Sequence, residues 1–166
     1  NAASPGNLVP TDTAPVYADG VKGNGILLNS QEKKAMAELN NQIPNGASDF
    51  SINMWVQPKK VENAYSVMLF GGDVSNHIGL ALYGSRGGAT VGSIYPVSGA
   101  QDTVTEVRNG ISSDQWFMYT WVNSKDKMVL YINGVKAGEG PAVSKPINRL
   151  FLGGSWWGDY FHGVFD

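Results

Sequence analysis

The chain has 166 residues, enough for one domain with a substantial core and cramped for two. Twelve Lys and Arg against 14 Asp and Glu give a net charge of −2, which excludes the broad basic surface that nucleic acid or anionic lipid would need. With no cysteine, neither a disulfide framework nor thiolate metal ligation is open to it.

Residues 1–15, NAASPGNLVPTDTAP, are small, polar and proline-dotted, and read as a flexible linker or arm leading into a domain at 16–166. This start lacks the charged-then-apolar form of a signal peptide, and no apolar run approaches the roughly 20 residues of a membrane helix. The chain therefore reads as a mature or excised portion of a larger polypeptide. Beyond the arm, Gly punctuates short apolar stretches in the manner of turns between short strands, which predicts an all-β domain.

The first predicted strand is Gly25 to Asn29. The stretch SQEKKAMAELNNQI is rich in helix formers with Ser30 able to cap them, yet Ala35, Ala37 and Leu39 also alternate as in a strand, so the residues alone leave both open. The clearest strand is DFSINMWVQP, with Phe50, Ile52, Met54 and Val56 on one face and Ser51, Asn53, Trp55 and Gln57 on the other. Pro58 is expected to end it. Further strands are predicted at Ser66 to Phe70, Ile78 to Tyr83, Thr90 to Tyr95 and Thr103 to Val107. In WFMYTWVNSKDKMVLYINGVKAG, two β-rich runs flank Ser124 to Lys127, and Asn133-Gly134 marks a tight turn into Val135 to Ala137. Met128, Leu130 and Ile132 share one face there, opposite Val129, Tyr131 and Asn133. The last predicted strand is Arg149 to Gly153.

Little here suggests catalysis. Asp and Glu are scattered, mostly at turn positions where Asp satisfies local backbone donors, and the three alternating acids of a glucanase strand are absent. Asp102 and Glu106 form only an isolated pair. His77 and His162 are the two histidines, too few for a zinc ligand set without cysteine. GSRGGATVG lacks the Lys-Ser/Thr ending of a phosphate-binding loop. The chain is read as non-enzymatic.

The most unusual stretch is GGSWWGDYFHG, Gly153 to Gly163. Adjacent side chains of an extended segment point to opposite sides, so Trp156 and Trp157 cannot both enter the core unless the backbone bends. An exposed Trp offers a flat apolar face for a pyranose ring, and loops on rigid sandwiches carry binding groups. The candidate carbohydrate-binding set is therefore Trp156, Trp157 and Tyr160 for stacking, with Asp159, His162 and Asn76 for hydrogen bonding. The alternative is that these aromatics plug the end of a sandwich or touch a neighbouring domain.

In order and spacing, YADGVKGNGILLN, DFSINMWVQP, QWFMYTWVNSKDKMVLYINGVKAG and RLFLGGSWWGDYFHGVFD resemble the laminin G-like branch of the concanavalin A-like lectin/glucanase jelly rolls, from about Tyr17 to Asp166. The resemblance implies a two-sheet antiparallel jelly-roll sandwich in which KKAMAEL is a strand and Trp55, Trp116 and Trp121 pack in or on the sheets. It implies a structural calcium ion held by oxygen ligands, with Asp19 and Asp166 as candidates and Asn29 as a weaker one. The family's last motif continues into a further strand where this chain stops, so the final strand is expected either to have been cut off or to come from a strand-donating segment. The function implied is a lectin-like module binding a glycan or polysaccharide, secreted or at the cell surface, in a multidomain and bacterial protein. The competing reading is a structural or adhesive spacer packed against a neighbouring catalytic or adhesin domain.

Overall fold

A computed structural model of the chain describes residues 8–10, 16–28, 36–39, 49–59, 66–73, 76–83, 93–98, 111–142, 150–154 and 161–166. Its elements among these residues are all strands: β1 (Leu8–Pro10), β2 (Val16–Asp19), β3 (Asn24–Leu28), β4 (Ala37–Leu39), β5 (Phe50–Pro58), β6 (Ser66–Asp73), β7 (Asn76–Tyr83), β8 (Ser93–Ser98), β9 (Phe117–Asn123), β10 (Lys127–Ile132), β11 (Val135–Pro141), β12 (Leu150–Leu152) and β13 (Gly163–Phe165). They make a six-stranded sheet in the order β1-β4-β12-β6-β7-β8 and a seven-stranded sheet in the order β11-β10-β9-β5-β13-β3-β2. Every described pairing is antiparallel. This is the expected jelly-roll sandwich.

The core forms where the inner faces meet. Met54, Val56, Tyr119, Trp121, Met128, Leu130 and Phe165 come from the seven-stranded sheet, and Ala37, Leu150 and Leu152 from the six-stranded one. Along β9 the alternation is complete: Phe117, Tyr119, Trp121 and Asn123 are buried, whereas Met118, Thr120 and Val122 point away from the core. The two faces read from DFSINMWVQP hold in β5, where Met54 and Val56 are buried and Ser51 and Asn53 exposed. The Asn-Gly turn is as read too, with positive φ at both Asn133 (51°) and Gly134 (77°), the geometry that joins twisted strands without splaying them. Asn133 Oδ1 also accepts from Met118 N at 2.8 Å, tying the turn to β9.

One reading changes, and one left open by the residues is resolved as the resemblance implied. Leu8–Pro10, inside the segment taken as a flexible arm, is an edge strand paired with β4. Three residues are too few to carry a periodicity, and Pro10 is tolerated because an edge strand has one ladder to satisfy rather than two. The ambiguous helix-or-strand stretch is a strand at Ala37–Leu39, in which Ala37 is 3% exposed, so packing overrides helix propensity there. The strand predicted at Thr103 to Val107 lies outside the described residues.

Candidate functional site

The aromatic segment begins where β12 leaves the six-stranded sheet and ends where β13 enters the seven-stranded one, so it crosses between the two layers. Its base is fixed by a backbone hydrogen bond from Phe161 N to Gly153 O, 2.9 Å. Gly153 sits at φ +78°, and a Cβ there would run into the Leu28 side chain, so glycine alone fits this corner. Phe161 is fully buried and meets Phe165 edge-on at 5.3 Å, so this aromatic of the stretch is core packing. His162 is half-buried, and its carbonyl accepts from Lys59 N at 3.0 Å. Trp156, Trp157, Asp159 and Tyr160 lie outside the described residues.

Beside this base stands a polar group whose members lie too far apart in the chain to be assembled by reading along it. Asp114, in the left-handed region at φ 62°, donates its N–H to Pro58 O at 2.7 Å, and its carboxylate meets Lys59 Nζ at 3.0 Å. Its carbonyl accepts from Gln57 Nε2 at 3.0 Å. The ion pair is too exposed to add much stability. What it does is fix the side chains at the rim where β5 ends.

The remaining sequence candidates fall elsewhere. Asn76 opens β7 opposite Asp73, whereas Leu152, where the aromatic segment departs, is level with Leu69. Four residues of strand, roughly 13 Å, separate those levels. The structure therefore does not bring Asn76 to the rim that holds His162. Asp19 ends β2, and Asp166 follows β13 with its Oδ2 accepting from Lys22 N at 2.8 Å, so both acids flank the β2–β3 turn. Among the described residues no group of three or more His, Cys, Asp or Glu is placed to hold a metal ion.

From the rim, the outward face of β5 runs Gln57, Trp55, Asn53, Ser51. Trp55 is half-buried between β13 and β9, with Asp166 and Met118 as its backbone partners. Asn53 Oδ1 accepts from Thr120 Oγ1 at 2.6 Å. The signal for this surface was present in the sequence as a tryptophan set among polar residues on the non-core face.

A family model described as the concanavalin A-like lectin/glucanases superfamily matches residues 31–166. Comparison with curated proteins gives no match. Among solved structures, the chain is similar to domain 4 of AbnA, a GH43 extracellular arabinanase from Geobacillus stearothermophilus, in complex with arabinotriose: TM-score 0.70 and 27% identity over 93% of this chain and 73% of that one. It is also similar to a putative carbohydrate binding protein from Bacteroides ovatus (TM-score 0.61, 17% identity, 86% of this chain and 41% of that one). Mouse laminin alpha1 chain domains LG4-5 give TM-score 0.60 and 14% identity over 78% of this chain and 36% of theirs.

Proposed function

The chain belongs to the concanavalin A-like lectin/glucanases superfamily, and on that premise we propose that it is a non-catalytic carbohydrate-binding module of a larger secreted or cell-surface bacterial protein. The observation that carries this reading is the likeness to a domain bound to arabinotriose. Supporting it, the aromatic segment springs from a base locked by the Gly153–Phe161 bond, and rigid loop bases lower the ordering cost of binding. Trp156, Trp157 and Tyr160 would stack on sugar rings, and Asp159 and His162 would hydrogen-bond hydroxyls. A non-catalytic role is favoured by three of the described acids, which are engaged elsewhere: Asp114 pairs with Lys59, Glu139 with two lysines, and Asp166 with the β2–β3 turn. Glycoside cleavage would instead need two carboxylates facing one bond.

Calorimetric titration of the folded chain with arabinotriose and other neutral oligosaccharides tests the proposal. Binding is expected, with at least a tenfold loss in the Trp156→Ala/Trp157→Ala variant; a folded chain that binds none of them ends the lectin reading.

The donor set at the β2–β3 turn fits a hard cation in kind, since Asp166 Oδ1 is without a partner among the described residues and Asp19 is exposed. Asp19 and Asp166 would hold calcium there, rigidifying the turn. Thermal unfolding with calcium against a chelator checks this: a higher midpoint with calcium is expected.

One observation favours the spacer reading instead. Val16 and Tyr17 on the edge strand β2 are 56% and 61% exposed, an apolar edge suited to a neighbouring domain. A glycan-blind but folded chain would move the function there.

A further inference from the structure

We propose that the outward face of β5 and β9 is an extended binding surface for a neutral oligosaccharide, running away from the rim that holds Asp114 and His162 along Gln57, Trp55 and Asn53. The proposal rests on the carbohydrate-binding reading and adds to it a surface made of strand residues.

The argument starts from alternation. An antiparallel sheet with one face in the core turns polar residues outward on the other. β5 does so with Ser51, Asn53 and Gln57, and places Trp55 in the middle of them, half-buried. On the neighbouring strands Met118 stands opposite Trp55, Thr120 opposite Asn53, and Tyr131 opposite Thr120. The face therefore presents Trp55 among uncharged hydrogen-bonding groups, with Tyr131 further across beside the charged β11 edge at Lys136, a composition that suits sugar rings and hydroxyls.

The polar groups are held in place. Thr120 Oγ1 donates to Asn53 Oδ1 at 2.6 Å, which fixes the amide and leaves Asn53 Nδ2 as a donor without a partner among the described residues. Gln57 Nε2 donates to Asp114 O at 3.0 Å, leaving Gln57 Oε1 as an acceptor. An oriented donor and an oriented acceptor thus lie two residues to either side of Trp55, roughly 13 Å apart along the strand. Amides restrained before the ligand arrives lose less entropy on binding.

Charge decides the class of ligand. At the β10–β11 edge Glu139 bonds both Lys127 (3.0 Å) and Lys136 (2.8 Å), and at the other side the Asp166 carboxylate accepts from Lys22 N. The charges lie at the margins, where the Glu139 cluster is internally paired and Lys22 and Lys125 are exposed, and the centre carries none. A neutral chain fits the uncharged centre of such a face.

Side-chain amide NMR of the 166-residue chain, titrated with arabinotriose, tests the proposal alongside calorimetry of Trp55→Ala and Trp156→Ala/Trp157→Ala. The Asn53 and Gln57 amide signals are expected to shift on saturation, and Trp55→Ala to weaken binding at least tenfold. If Trp55→Ala does not fold, Asn53→Ala is substituted and is expected to weaken binding severalfold. Saccharide binding that leaves both amide signals unmoved overturns the strand surface while keeping the lectin reading. A folded chain that binds neither arabinotriose nor any other neutral oligosaccharide overturns both.

Discussion

Trp121 and Trp55 stand on adjacent strands of one sheet and have opposite fates. Trp121 on β9 faces inward opposite Ile52 and is 0% exposed; Trp55 on β5 faces outward opposite Met118 and is half-buried. Nothing in the residue type separates them, only which face of the pleat each position falls on. In this fold a tryptophan on the inner face is sealed into the core, and one on the outer face keeps part of its ring exposed, which is the part our proposal assigns to a ligand.

The strongest way to break the comparison is to truncate both rings. Trp121→Ala is expected to cost about 3–5 kcal/mol in denaturant unfolding, because a fully buried ring leaves a large cavity. Trp55→Ala should instead register in affinity, about 1.4 kcal/mol for a tenfold loss, with a smaller change in the unfolding midpoint than at Trp121. Equal destabilisation at the two sites would refute the division between the faces. A finer contrast uses Trp121→Phe: the indole Nε1–H is buried with no hydrogen-bond partner among the described residues, so losing it removes an unsatisfied donor and offsets part of the cavity. A cost of roughly 1 kcal/mol is expected. Smaller still is Thr120→Val, which deletes the bond to Asn53 Oδ1 and should cost about 0.5–1 kcal/mol in stability. Its sharper signature is broadening of the Asn53 amide signals as that side chain loses its anchor.

The smallest effect concerns the exposed edge of the same sheet. Hydrogen bonds from Lys136 first and then Lys127 lower the Glu139 carboxyl from 4.5 to about 2. The depressed value means that any stability from this cluster is present above the ordinary carboxylate range and is lost as pH falls through about 2. NMR titration of Glu139 should give that midpoint and move it upward in Lys136→Ala, while Trp55 signals stay unchanged over the same range.

Much of this division was legible in the chain itself. The alternation of DFSINMWVQP placed Trp55 on the polar face, and that of KMVLYIN put Met128, Leu130 and Ile132 together on an apolar one, because a strand's period of two is written residue by residue. Asn133-Gly134 announced its turn because few residues tolerate positive φ at two successive positions. What could not be read was whatever depends on register between distant strands. Lys59 and Asp114 are 55 residues apart in the chain and meet only because the segment before β9 folds back over the end of β5. Asn76 looked like a rim residue because it lies near a predicted turn, but which end of the sheet that turn occupies is set by the pairing of β6 with β12. Leu8–Pro10 had no pattern to read, since its place comes from β4 offering an edge.

The bond between Gly153 and Phe161 has an evolutionary consequence. With the two anchor points clamped, one in each layer, changes of length or side chain between them should leave the registry of the layers beneath unaltered. Lengthening a flexible loop twofold costs only about 0.6 kcal/mol in closure entropy. On the proposed lectin reading, sister domains would diversify their ligands by replacing six or seven residues, as antibodies do on their own sandwich, and grafting such a segment from one sister onto another should carry its specificity along.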